Sequence, residues 1–153
     1  MAFSLLDQLT EPEGASRAKL HPDSLEYIRS LKASLCQDLN ALLNTRRAEE
    51  DFDSSFDQAT NSLLTFGIAD FTSLNLTSGI DQERVRYSVE RAIRQFEPRL
   101  TRVSVSLDEP NTANPVLRLH IEAILRIESR REAVSFSAAL SRDSRRIAVS
   151  GAD

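Results

Sequence analysis

Glu26 and Glu97 are the carboxylates best placed for chemistry: Glu26 falls early in one amphipathic stretch, Glu97 closes another, and either can reach a cleft. Glycoside hydrolysis needs two such groups in different protonation states at a set separation. Acids are abundant, but no spacing fixes a second carboxylate opposite Glu97. His21 lies in an irregular lead-in and His120 in an alternating stretch, so a zinc site would need ligands from distant parts of the fold. Cys36 is the only thiol, which excludes an internal disulfide, and its place among Leu35, Leu39 and Leu42 suits packing. Asp51 and Asp53 form a D-x-D fragment without the glycine and final glutamate of a calcium loop. No G-x-x-x-x-G-K, dinucleotide fingerprint or H-E-x-x-H occurs. Recognition without catalysis is expected, with no metal and no cofactor.

Charge narrows the partners. The net charge is −4 over 153 residues, so no global basic field attracts nucleic acid or anionic lipid. Residues 81–102 nevertheless carry six arginines against four acids, a patch that a protein can read. The first ten residues lack the basic start and long apolar run of a secretory signal, and no stretch suits membrane insertion. A cytoplasmic protein is expected. Its length allows one substantial core.

The elements that position these residues follow from periodicity. Residues 1–23 read as an N-terminal arm and lead-in, where Phe3, Leu5, Leu6 and Leu9 form an apolar cluster before Pro12 and Gly14. Residues 24–150 read as one domain. Ser24 opens a helix of some twenty residues, with Leu25, Ile28, Leu31, Leu35, Leu39, Leu42 and Leu43 on one stripe. Arg46 and Arg47 are expected to meet its last carbonyls. An acidic connector over 49–57 leads to a second helix near 56–65, closed by Gly67 in a left-handed conformation. Residues 70–79 read as an extended connection. The third helix runs near 81–96 with Asp81 as its cap, and Arg86 and Glu90 are expected to form a modest surface pair.

Pro98 then breaks the helix. Val103, Val105 and Leu107 alternate with serines as a first strand, followed by a polar loop. A long strand over 116–128 puts Leu117, Leu119, Ile121, Ala123, Leu125 and Ile127 on one face and Arg118, His120, Glu122 and Arg126 on the other. A turn near 129–132 leads to a strand through Val134, Phe136, Ala138 and Leu140, and a short last strand follows at 147–149. The expected class is α+β, about three helices against a small, mostly antiparallel sheet. Such a sheet binds partners through its edges, where alternating side chains, here including Arg118 and Arg126, select the register.

Four segments carry a resemblance: Ser4 to Leu9, Leu39 to Arg47, Ser62 to Asp70, and Phe96-Glu97-Pro98-Arg99-Leu100, of which the last is the most distinctive. Together they span most of residues 4–107. The sequence resembles the GpW/Gp25 family, and within it the TssE-like baseplate components of bacterial type VI secretion systems. The resemblance implies a Gp25-like fold and a non-catalytic wedge component. It implies contact with TssF and TssG, other baseplate components and sheath subunits, with strand edges as the template on which the contractile sheath starts. Leu5 and Leu9 would anchor the arm in the complex, and Glu97, Pro98, Arg99 and Leu100 would form the wedge contact. The alternatives are a lysozyme-like peptidoglycan hydrolase and a regulatory adaptor of the same fold. One departure stands out. Phe66-Gly67-Ile68-Ala69-Asp70 replaces the commoner Tyr-Gly-Leu-Pro-Asp, which alters local hydrogen bonding while Gly67 and Asp70 keep the turn.

Overall fold

Ser24 adopts the extended backbone of an N-cap and its Oγ accepts the Tyr27 N–H at 3.1 Å, so helix α1, Leu25–Asn44, starts where the sequence places it. The computed structural model describes residues 24–47, 65–71, 74–75, 77–108, 116–127, 130–141 and 146–151. The arm with Leu5 and Leu9, the acidic connector and all but Thr65 of the expected second helix lie outside these residues. Along α1 the leucine stripe is buried from Ile28 to Leu43, as its spacing requires, but Leu25, expected on the same stripe, lies in the first turn and is 72% exposed.

Thr45 ends α1 in extended backbone and returns both its N–H and its hydroxyl to the Ala41 carbonyl. The expectation that Arg46 and Arg47 meet the helix end is therefore corrected. The chain has already turned away, to bridge in parallel with Ile68: Ile68 N–H donates to Thr45 O at 3.0 Å and Arg47 N–H to Ile68 O at 2.9 Å. Arg46 instead lays its guanidinium 3.9 Å over the Phe71 ring, 3.8 Å from Asp70. Gly67 has the expected positive φ, +105°. A second constraint was not foreseen, since a Cβ there would stand 2.3 Å from Thr45 O.

Helix α2, Gly79–Phe96, begins two residues earlier than expected, with Ser78 rather than Asp81 at the N-cap. Asp81 sits in the first turn and reaches back to accept the Asn75 N–H at 3.0 Å, which ties the helix to the turns before it. Those turns replace the expected extended connection: Leu74 N–H returns to Phe71 O and Ser78 N–H to Asn75 O. Val85, Val89, Ala92 and Ile93 are buried, and Phe96 meets Phe66 edge-on with ring centroids 5.2 Å apart.

Four strands follow in a meander of spatial order β1-β2-β3-β4, every pair antiparallel: β1 Leu100–Leu107, β2 Val116–Ile127, β3 Arg130–Ser141 and β4 Ile147–Gly151. β1 starts at Leu100, earlier than its alternating pattern suggests. The pattern is interrupted because the register shifts between Thr101 and Ser104, where Arg102 takes a φ of 53° and lets Leu100 and Val103 both point inward. β3 likewise starts at Arg130, inside the expected turn, because Arg130 pairs with Ile127 and leaves two residues for the hairpin.

The two described helices cover one face of the sheet. One hydrophobic cluster joins both helices to all four strands, with Ile121, Leu125 and Phe136 essentially inaccessible. The opposite face carries Arg118, Glu122, Arg126 and Arg131, all exposed. At the hairpin end, Glu132 accepts from Arg130 and lies 3.8 Å from Lys32 of α1. The Arg130 hydrogen bond holds the Glu132 carboxyl below the usual range, against the opposing effect of desolvation. A depressed folded-state pKa stabilises the fold above the unfolded carboxylate range, and the contribution disappears as pH falls through the folded value. A carboxyl NMR titration should show Glu132 depressed in the native protein and restored in Arg130→Ala. An unchanged titration in that variant would remove Arg130 as the cause.

Candidate partner-binding surface

The helix-to-strand corner is built around a buried ion pair. Glu97 is the C-cap of α2, and its N–H still donates to Ile93 O at 2.9 Å. Leu100 N–H closes a turn onto Glu97 O at 3.1 Å, so Pro98 projects at the tip where its missing N–H costs nothing. Arg99 folds back inside that turn. Its Nε donates to Glu97 Oε1 at 2.7 Å, its backbone N–H to the same oxygen at 3.2 Å, and its Nη2 to both Glu97 Oε2 and Asp38 Oδ2. The Arg99 carbonyl accepts Arg126 N–H at 2.9 Å, which joins the corner to β2. Glu97 is 5% exposed and the Arg99 side chain 12%. Burial works against the Arg99 charge, but the hydrogen bonds it donates to Glu97 and Asp38 outweigh it and hold its pKa above the ordinary value.

Asp38 joins three elements through one guanidinium: α1, the end of α2 and the start of β1. Sequence reasoning assigned Asp38 no role. No spacing links Asp38 to Arg99, since only the tertiary fold brings them together. The same geometry bears on Glu97 as a general acid. Both its oxygens are engaged by Arg99, and the nearby carboxylate, Asp38, is bridged by the same cation rather than separated from Glu97 by room for sugar and water.

Pro98, Arg118 and Arg126 are exposed, whereas Leu100 is buried with Glu97. The expected partner-facing residues thus divide. Pro98 is at the corner surface, Glu97, Arg99 and Leu100 are beneath it, and Arg118 and Arg126 lie on the face of the sheet opposite the two described helices. On that face the β1 bulge borders a shallow depression of about 470 Å³ lined by Arg102, Ser104, Glu122 and Ala133.

Helix side chains cover part of the outer hydrogen-bonding edge of each outer strand, at Val103 and Val105 of β1 and at Ile147 and Val149 of β4. On β1, Arg94 Nη2 donates to Val103 O at 2.8 Å, Arg86 Nη1 to Val105 O at 3.4 Å, and Glu90 Oε2 accepts the Val105 N–H at 3.3 Å. Glu90 also holds both arginines, Arg86 at 3.0 Å and Arg94 at 2.8 Å. The expected modest surface pair of Arg86 and Glu90 is corrected accordingly: it belongs to a network aimed at a strand, because α2 lies along β1.

On β4, two asparagines of α1 do the same work with neutral groups. Asn44 donates to Ile147 O at 2.8 Å and accepts Ile147 N–H at 3.0 Å. Asn40 donates to Val149 O at 3.1 Å and accepts Val149 N–H at 3.0 Å. Each amide spends its other N–H on its own helix, at Cys36 O and Asn40 O. Cys36 packs beside them, its Sγ 3.4 Å from Val149 O. Sequence reasoning missed both asparagines, although a signal was present. Asparagine is a poor residue inside a helix, and two at i and i+4 on one face imply a tertiary role.

The family profile of baseplate wedge protein gp25 matches residues 29–130, which include most of α1 and all of α2, the corner, β1 and β2. The chain belongs to the gp25 baseplate wedge family. No curated protein matches the sequence. Among solved structures, a chain of "The baseplate complex from the type VI secretion system" is similar in fold, with a TM-score of 0.54 at 16% identity, covering 75% of this chain and 96% of that one. This gp25-family chain therefore shares its fold with a component of a secretion baseplate. Among its described residues no helix is long and apolar enough to cross a membrane.

Proposed function

We infer that this gp25-family chain is a TssE-like, non-catalytic wedge subunit of a type VI secretion baseplate. It works in the cytoplasm, is recruited to a membrane-anchored assembly, binds TssF and TssG, and offers its sheet as the template for the first sheath subunits. Family membership over residues 29–130 carries the baseplate role. The template role draws support from a sheet whose two described helices occupy one face, with Arg118 and Arg126 outward on the other. In this reading the corner is the wedge contact: Pro98 is the exposed tip, while Glu97, Arg99 and Leu100 set its shape. Leu5 and Leu9 anchor the arm in the complex.

Affinity purification of the intact tagged protein from its native cytoplasm, with mass spectrometry, tests this directly. TssF, TssG and the sheath protein should be recovered with the native chain. A folded Pro98→Lys variant should lose TssF and TssG, and Arg118→Glu with Arg126→Glu should lose the sheath protein alone. Recovery of an unrelated regulator only, or turnover of purified cell wall by the isolated protein, would replace the assembly reading.

A further inference from the structure

We propose that Asn40 and Asn44 act as a side-chain strand that closes the β4 edge in the free protein and gives way to an extended strand of the partner, which then pairs with Ile147, Val149 and Gly151. The proposal rests on the strand-template reading above and adds the edge used and the groups that guard it.

The geometry is specific to β4. In an antiparallel pair, alternate residues direct both backbone groups toward the neighbour, and those between direct them outward. Ile147 and Val149 face outward, since their N–H and C=O groups meet the asparagines. A carboxamide presents one donor and one acceptor in a plane, as a peptide group does, and the α1 repeat of four residues sets two of them against two outward residues of the strand. Helix α1 thereby supplies two rungs of a ladder without supplying a strand. An incoming peptide exchanges these four hydrogen bonds for four of the same kind, releases the amides to water and displaces the weaker Cys36 Sγ donor from Val149 O, so hydrogen-bond number falls by one weak bond.

The third outward residue, Gly151, gives the incoming strand its start. It continues the alternation of Ile147 and Val149, is exposed, and has no atom within 4 Å of where a Cβ would stand. Among the described residues no α1 side chain bonds to it. The β1 edge is a poorer entry. Displacing its cover would strip Glu90, whose side chain is 14% exposed, from Val105 and strain its two ion pairs.

Backbone amide exchange of the full-length protein, alone and with purified sheath protein, tests the closure and the opening together. In the free protein Ile147 and Val149 should exchange within about tenfold of Ala148 and Ser150, whose amides face β3, because the asparagines protect them. Exchange at unprotected rates would overturn the closure, and this arm needs no variant. Asn40→Asp retains the acceptor for Val149 N–H and removes the donor to Val149 O, and should bind sheath protein at least tenfold faster. Asn40→Ala with Asn44→Ala should do the same where it folds. In the complex, protection at Gly151 should rise. Binding at the native rate by folded Asn40→Asp overturns the gate. New protection at β1 instead of β4 overturns the proposal and leaves the template reading standing. Binding with no new protection at either edge ends both.

Discussion

Arg99→Ala is expected to lose about 3–5 kcal/mol of folding stability, the cost of breaking a buried ion pair by removing one partner. The substitution leaves Glu97 buried without its guanidinium and Asp38 without its link to the corner. Arg99→Lys should recover only part of the loss, because one ammonium cannot reproduce the planar fork that engages both Glu97 oxygens and Asp38. Urea unfolding followed by circular dichroism measures both. Replacing Glu97 and Arg99 together by leucine and methionine should restore much of the stability, since buried pairs often break even against apolar groups of similar volume. A native midpoint for Arg99→Ala would show that the corner does not depend on this pair. Loss of wedge binding in Glu97 or Arg99 variants therefore has to be read against the fold, and Pro98 is the cleaner probe of contact.

Gly67→Ala should cost roughly 2–4 kcal/mol. A backbone at φ +105° is strained for any residue with a Cβ, at about 1–3 kcal/mol. The added carbon also meets Thr45 O at 2.3 Å, and relieving that contact pulls apart the bridge that carries Ile68 N–H and Arg47 N–H. The thermal midpoint should drop by several degrees. Arg46 should leave the Phe71 ring, visible as a change in the Phe71 proton shifts. A stability within 0.5 kcal/mol of native would mean that the bridge does not hold this segment to α1.

What the sequence made legible was whatever repeats along one element. The leucine stripe of α1 from Ile28 onward, the cap at Ser24 and the inward face of β2 follow from local spacing and stand where they were expected, whereas Leu25, in the first turn, is exposed. The positive φ of Gly67 was legible too, as a residue type. The bulge at Arg102 was not, because two residues set against one interrupt the alternation that reveals a strand. The corner was legible as a motif and opaque as a mechanism. Glu97, Pro98 and Arg99 are neighbours in the chain, but the residue that fixes their arrangement, Asp38, lies 61 positions from Arg99 and carries no mark of its role. The edge covers sit between these cases. Arg86, Glu90 and Arg94 recur at intervals of four, as do Asn40 and Asn44, yet the strand each set faces is settled only when the helices dock.

The asparagine contacts also order the fold in time. Asn40 reaches Val149 across 109 residues and Asn44 reaches Ile147 across 103, whereas successive strands of the meander pair with near neighbours. During synthesis at about 5–20 residues per second, α1 waits roughly 5–20 seconds for the strand it must meet. The hairpins and α2 can assemble in that interval, because their contacts are local and close quickly. Docking of α1 on β4 is the long-range step that seals the nascent chain, and until it occurs the outermost strand is open to any extended chain nearby.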